Sequence, residues 1–162
     1  FIERFEKAPE SSEEARDEFN AAADLMARDN LWGVGVNCFS RVLTNDHRYR
    51  DSIKVMENEE HAGVCHHIYR LTAAEMGYIG LGLFMLILGR FLWTTGVWTI
   101  GTPSQEQFVL FGVLVGCIGL HTVGLLEWVF RVTPVWNLFW IASGLGAATS
   151  LRLARGRHLN PV

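Results

Sequence analysis

The chain has 162 residues, 49% of them hydrophobic, and a formal net charge of -3 at pH 7. Fifteen of its seventeen acidic residues precede Met76, against nine of its fourteen basic ones, so an acidic front half is followed by a nearly uncharged back half. This balance argues against a nucleic-acid partner, which draws on clustered cations to neutralise phosphates, and the short polar front half leaves little room for an enzyme domain.

FIERFEKAPE, at the start, has no period and ends near Pro9, which suits an arm lying along a neighbour. The chain opens on Phe1 and shows no cationic start with a short apolar stretch and cleavage site, so any targeting segment is expected to have been removed. Ser11 with Glu14 reads as a capping box, and a helix is expected from about Ser12 to Arg28. Its apolar stripe is Ala15, Phe19, Ala22, Ala23 and Met26. Between Leu31 and Leu43 lies LWGVGVNCFSRVL, too short to span a bilayer. It reads either as an interfacial or re-entrant segment, with Trp32 and Phe39 at headgroup level, or as a buried turn. A second amphipathic helix is expected from about Asn45 to Tyr69, with Ile53, Met56, Val64 and Ile68 towards one side and Gly63 marking a break.

Three apolar runs fill the remainder. Met76 to Gly101 carries one charge, Arg90; Phe108 to Leu126 carries no acid, Lys or Arg and holds His121; Val132 to Leu151 is uncharged. A hydrocarbon core about 30 Å thick needs roughly 20 helical residues, and each run is long enough. The expected fold is therefore an all-α membrane protein. An extramembrane acidic arm with two amphipathic helices (1–71) leads into a three-helix transmembrane region (72–154, with spans at about 73–98, 107–131 and 134–153) and a basic tail (155–162). Thr133 and Pro134 make a short turn, with Pro134 in the first turn of the third span. The arginines of the tail favour that end on the cytoplasm-like side.

Within the first span, Arg90 needs a polar partner, because an unpaired guanidinium in hydrocarbon costs about 2.5–3.5 kcal/mol or more. Glu127 is the candidate within the chain, with a lipid phosphate or another subunit as the alternatives, and snorkelling to an interface as the bland account. Glu127 and Arg131, four residues apart, are expected to pair along one helix. Gly112, Gly116 and Gly119, and Gly144 beside Ser143, Gly146 and Ala147, form small-residue faces for close helix packing, as do Gly77, Gly80 and Gly82. These faces exceed what three helices need internally and point to other membrane subunits.

His61, Cys65, His66 and His67 do not share one helical face, so no metal site is expected. Cys38 and Cys65 lie outside the spans, where a disulfide between them is conceivable; Cys117 lies within one. No nucleophile with a base and no phosphate-cradling loop stands out, so the protein is expected to be a non-catalytic accessory subunit of a large energy-transducing membrane complex. The respiratory chain or ATP synthase of the mitochondrial inner membrane comes first and a thylakoid complex second. It would scaffold neighbours and bind phospholipid through Arg90 and its basic tail, without a cofactor.

The alternative concerns His121, which sits mid-span among Gly116, Gly119 and Gly124. Three spans with a histidine in the second is similar to the organisation of succinate dehydrogenase membrane anchors. That resemblance implies haem b at His121, with Arg90 and Tyr78 or Trp93 bordering a quinone pocket.

Overall fold

A computed structural model of the chain describes residues 2–51, 53, 63–100 and 104–159, with side chains from Ala15 to Gly156 within those ranges. Among the described residues six α-helices follow one another: α1 Ile2–Asp29, α2 Phe39–Asn45, α3 His47–Arg50, α4 Ile68–Thr99, α5 Gln105–Val123 and α6 Thr133–Leu159, with a 3-10 turn at Val129–Arg131. No strand occurs among the described residues. The chain resolves into two compact units, one running to Leu83 and adding Leu125–Trp128, the other taking Phe84–Gly124 and the residues from Val129 onward.

In the first unit, α1 begins at Ile2, ten residues before the expected start, so Ser11 lies inside the helix and does not cap it. Phe19, Ala22, Ala23, Met26 and Ala27 are buried along one side of it. Asn30 closes α1 by donating from both its backbone N–H and its side-chain amide to the Met26 carbonyl, each at 3.0 Å. The same amide reaches the Tyr49 hydroxyl at 3.1 Å, and that hydroxyl donates to Asp29 at 3.1 Å. Tyr49, Phe39, Leu43, Ile53, Cys65 and Leu71 complete an apolar core, so the front of the chain has an interior of its own.

The single helix expected from Asn45 to Tyr69 is not formed where the chain is described. Asp46 adopts an extended conformation between α2 and α3, its carboxylate accepting from the Arg48 N–H at 3.0 Å and pairing with the Arg48 guanidinium at 2.7 Å. That local capping stops one helix and starts the next. Residues 63–67 are non-helical, with α4 beginning at Ile68. Met56 and His61 lie outside the described residues.

The feature that organises this unit is a break inside α4. Gly77 has φ 70° and ψ 175°, a backbone region open almost only to glycine. A helix that stops at Met76 leaves its last carbonyls without helical partners. Val34 and Gly35 supply them, donating to Ala74 O and Glu75 O at 2.9 Å each. To approach this closely the 31–37 loop uses left-handed Gly33, Gly35 and Asn37. A Cβ on Gly33 would overlap the Glu75 carbonyl, and one on Gly77 would overlap the Leu31 carbonyl. The segment expected at a membrane surface or in a buried turn is thus a loop docked on this break, followed by α2. Phe39 is buried in the core rather than placed at headgroup level, while Trp32 is exposed.

In the second unit α5 starts on Ser104, whose hydroxyl accepts from the Gln107 N–H at 3.3 Å, and closes at Gly124. It therefore stops short of the expected end at Arg131; the chain instead passes through the 3-10 turn before α6 begins at Thr133. Pro134 falls in the first turn of α6, where its missing N–H leaves no hydrogen bond unmade.

Replacing Gly77 with alanine forces a side chain into both a glycine-only conformation and a backbone contact, for an expected loss of about 2–4 kcal/mol. Gly82→Ala, with nothing within 4 Å of its Cβ position, is expected to be neutral or slightly stabilising. Thermal unfolding of both variants in detergent checks this; equal midpoints would remove the break from its organising role.

Candidate functional site

Three groups of residues hold the polar and small side chains on which a functional reading turns. The first surrounds the carboxylates of the first unit. Glu75 is 3% exposed, in an otherwise apolar stretch, and one of its oxygens accepts from the Phe39 N–H at 3.3 Å. The N-cap of α2, Cys38, makes no side-chain cap bond, so a Glu75 oxygen from another helix accepts from the first turn in its place. Sequence reasoning missed this residue. A lone acid just before an apolar run was the signal.

Glu127 lies in the connection after α5, not on that helix, and so does not share a helical face with Arg131. One of its oxygens pairs with Arg16 Nη2 at 3.0 Å and the other meets His66 Nδ1 at 3.0 Å. The hydrogen bond from His66 and the nearby Arg16 charge hold its carboxyl below the usual range. Arg70 and Asp24 pair at 3.2 Å, joining α4 to α1. Arg131 closes the 3-10 turn, half-buried. Arg90 stands exposed on α4, and no ion pair to its guanidinium is found among the described residues.

Cys38, Cys65 and Cys117 are free thiols, so no Cys38–Cys65 bridge is made. Cys65 is buried and its Sγ donates to Asn20 Oδ1 at 3.1 Å; desolvation pushes the thiol up to about 12, leaving it unreactive at neutral pH. Among the described residues no three His, Cys, Asp or Glu side chains converge on a metal position. Cys65 and His66 engage different partners, and His61 is outside the described residues.

The second group is the setting of His121. Its ring centroid lies 4.8 Å from that of Phe130, 5.7 Å from Phe139 and 6.1 Å from Phe84. Trp136 extends the cluster, 6.2 Å from Phe130. These rings join α4, α5, the 3-10 turn and α6 into one apolar knot.

The third group is the small-residue faces. The close approach between α5 and α6 falls at Gly146, where a Cβ would meet Val113 at 3.3 Å and Phe91 at 3.4 Å. A Cβ at Gly112, Gly116, Gly119 or Gly144 would meet nothing within 4 Å among the described residues. Gly112 and Gly116 instead help line an apolar cavity of about 330 Å³ with Val113, Cys117, Leu138 and Phe139.

Helices α4 and α5 are long and apolar enough to cross a membrane. Buried residues make up 39% of the most apolar window of α4 and 17% of that of α5, so most of each window is not covered by the rest of the described chain. No family model, curated protein or solved structure matches the chain.

A carboxylate held below its ordinary value contributes stability above its unfolded pKa and loses that contribution as pH falls through the lower folded value. The unfolding midpoint of the protein is therefore expected to drop between about pH 5 and pH 3, and Glu127→Gln to flatten part of that drop. Differential scanning calorimetry at several pH values reads the difference; identical profiles would show that Glu127 carries no linkage.

Proposed function

We propose that the protein is a non-catalytic scaffolding subunit of a multi-subunit membrane complex, anchored by three crossings and carrying a folded unit at the membrane surface. The observation that carries this reading is the exposed apolar surface of the second unit: Leu86 and Trp93 on α4 and Phe108 on α5 are each 70% exposed, and Leu138 and Ile141 on α6 are 66% and 69% exposed. Surface of this extent requires hydrocarbon or another protein to cover it.

The break at Gly77 supports a boundary at that point. From Tyr78 to Thr99 the helix has 22 residues, about 33 Å, enough for one crossing. Exposed Trp32, Leu31 and Val36 sit on the loop docked against the break, where aromatic and aliphatic side chains meet headgroups. Helix α4 leaves the first unit and α5 returns to it, because Leu125–Trp128 packs within that unit. A second crossing brings the chain back to the side from which it started. Helix α6 supplies the third span with its uncharged first nineteen residues, Thr133 to Leu151, before Arg152 and Arg155.

Scaffolding follows from what these helices leave unused. A Cβ added at Gly119 or Gly144 would meet no heavy atom of the described residues within 4 Å, which leaves room there for a neighbouring helix. Arg90, about 13 Å from the Thr99 end of its helix, is too deep to reach water easily and is best matched by a carboxylate or a lipid phosphate from outside the chain. The assemblies this reading names are the respiratory and ATP-synthesising complexes of the mitochondrial inner membrane, then those of the thylakoid. Phospholipid fills the remaining apolar surface.

In mild detergent the protein is expected to migrate in a discrete complex several times its own mass of 18.3 kDa, together with a fixed set of membrane subunits. A lone monomer in native electrophoresis would overturn the scaffold reading. Cysteine labelling in sealed vesicles tests the crossings: Asp51→Cys and Leu126→Cys should react from one side, Gln105→Cys and Arg155→Cys from the other. Equal labelling of all four from one side contradicts three spans.

A further inference from the structure

Arg90 is the only charged residue between Met76 and Gly101, and it stands in the middle of an open face of α4. At about 100° per residue, Leu86, Gly89, Arg90, Trp93, Gly96 and Val97 fall within an arc of about 120°, and the buried Leu88 and Thr95 lie outside it. Leu86, Gly89, Arg90, Trp93 and Val97 are all exposed. The chain itself offers this arginine no carboxylate. Only two acidic residues follow Met76. Glu127 is held by Arg16 and His66. Glu106 lines the same pocket as Trp98, which lies eight residues, or about 12 Å, beyond Arg90 along α4. A second copy inserted in the same direction carries its own Glu106 at that same level, so self-association does not supply the missing acid either.

We infer that this face of α4 docks a transmembrane helix of another subunit, one that carries an Asp or Glu midway along its span. This rests on the membrane-spanning reading and adds the face and the chemistry of the partner. A carboxylate at the depth of Arg90 cancels its charge where water cannot, and its two oxygens fit the forked N–H groups of the guanidinium. Leu86, Trp93 and Val97 surround the pair with apolar surface, and Trp and Arg are the residue types that dominate the binding energy of protein interfaces. The glycines favour a helix over lipid as the occupant. A Cβ added at Gly89 or Gly96 would meet no heavy atom of the described residues within 4 Å. Lying seven residues apart, they keep one flat line on the side that a neighbouring helix follows in a left-handed crossing, where its backbone can approach closely. Acyl chains adapt to any side chain and draw no advantage from glycine, which weakens a helix relative to alanine.

The test is association of the purified full chain, in phosphatidylcholine liposomes, with three synthetic leucine–alanine transmembrane peptides that differ only at the central position, which is Glu, Gln or Leu. Energy transfer between fluorophores on protein and peptide reads the affinity. The Glu peptide is expected to bind roughly tenfold more tightly than the Leu peptide, the scale of a polar contact between membrane helices, with the Gln peptide between them. Arg90→Gln should bring the Glu and Gln peptides together, and Arg90→Lys should keep part of their difference. Gly89→Leu should weaken binding of the Glu peptide at unchanged helical content by circular dichroism. Equal affinity for the Glu and Leu peptides overturns the carboxylate-bearing partner and leaves Arg90 to a lipid phosphate, as does a preference that survives Arg90→Gln; unaltered binding by Gly89→Leu overturns the face. Extraction of the protein from vesicles by alkaline carbonate would instead sink the membrane-spanning reading, so the two failures are distinguishable.

Discussion

The structure turns on two backbone hydrogen bonds and the glycine that makes room for them. At Gly77 the helical ladder of α4 is interrupted, and the N–H groups of Val34 and Gly35 take up the Ala74 and Glu75 carbonyls. On the N-terminal side of the break, Leu71, Ala73, Ala74 and Glu75 are all buried; just beyond it Tyr78, Ile79 and Leu83 are exposed. The same helix thus contributes one segment to the buried core of the first unit and leaves the next with exposed apolar side chains. Glu75 strengthens the junction by capping α2 from across the fold, so the loop, the short helix and the break form one hydrogen-bonded unit.

The long apolar helices α4 and α5 were legible because length and composition alone decide that a helix is long and apolar enough to cross a membrane. The buried side of α1 was legible for a similar reason, since Phe19, Ala22, Ala23 and Met26 recur at helical spacing. Boundaries were not. Gly77, Gly80 and Gly82 look alike in sequence, and only the approach of residues 31–35 selects Gly77 as the break. Likewise Glu127 has Arg131 as its near neighbour, but its partner Arg16 is 111 residues away, and nothing local announces a contact over that distance.

The glycines are the most instructive case. Their spacing reads as a close-packing face, yet the residue at the tight α5–α6 contact is Gly146, and Gly112 and Gly116 line a cavity instead. Periodicity identifies which residues share a face of a helix; it does not say what the face meets. His121 teaches the same lesson in reverse. Flanked by small residues in sequence, it is surrounded in space by Phe84, Phe130 and Phe139, which belong to three different elements.

The account stands on the claim that the chain beyond Gly77 lies in hydrocarbon. Nitroxides placed singly at Leu86, Phe111 and Ile141, and for contrast at Trp32 and Asp51, report this directly in lipid nanodiscs through their relaxation by dissolved oxygen and by a water-soluble nickel chelate. The first three are expected to respond strongly to oxygen and barely to nickel, Asp51 the reverse, and Trp32 between them. Ready access of nickel to Leu86 and Phe111 in the intact, folded protein would contradict it.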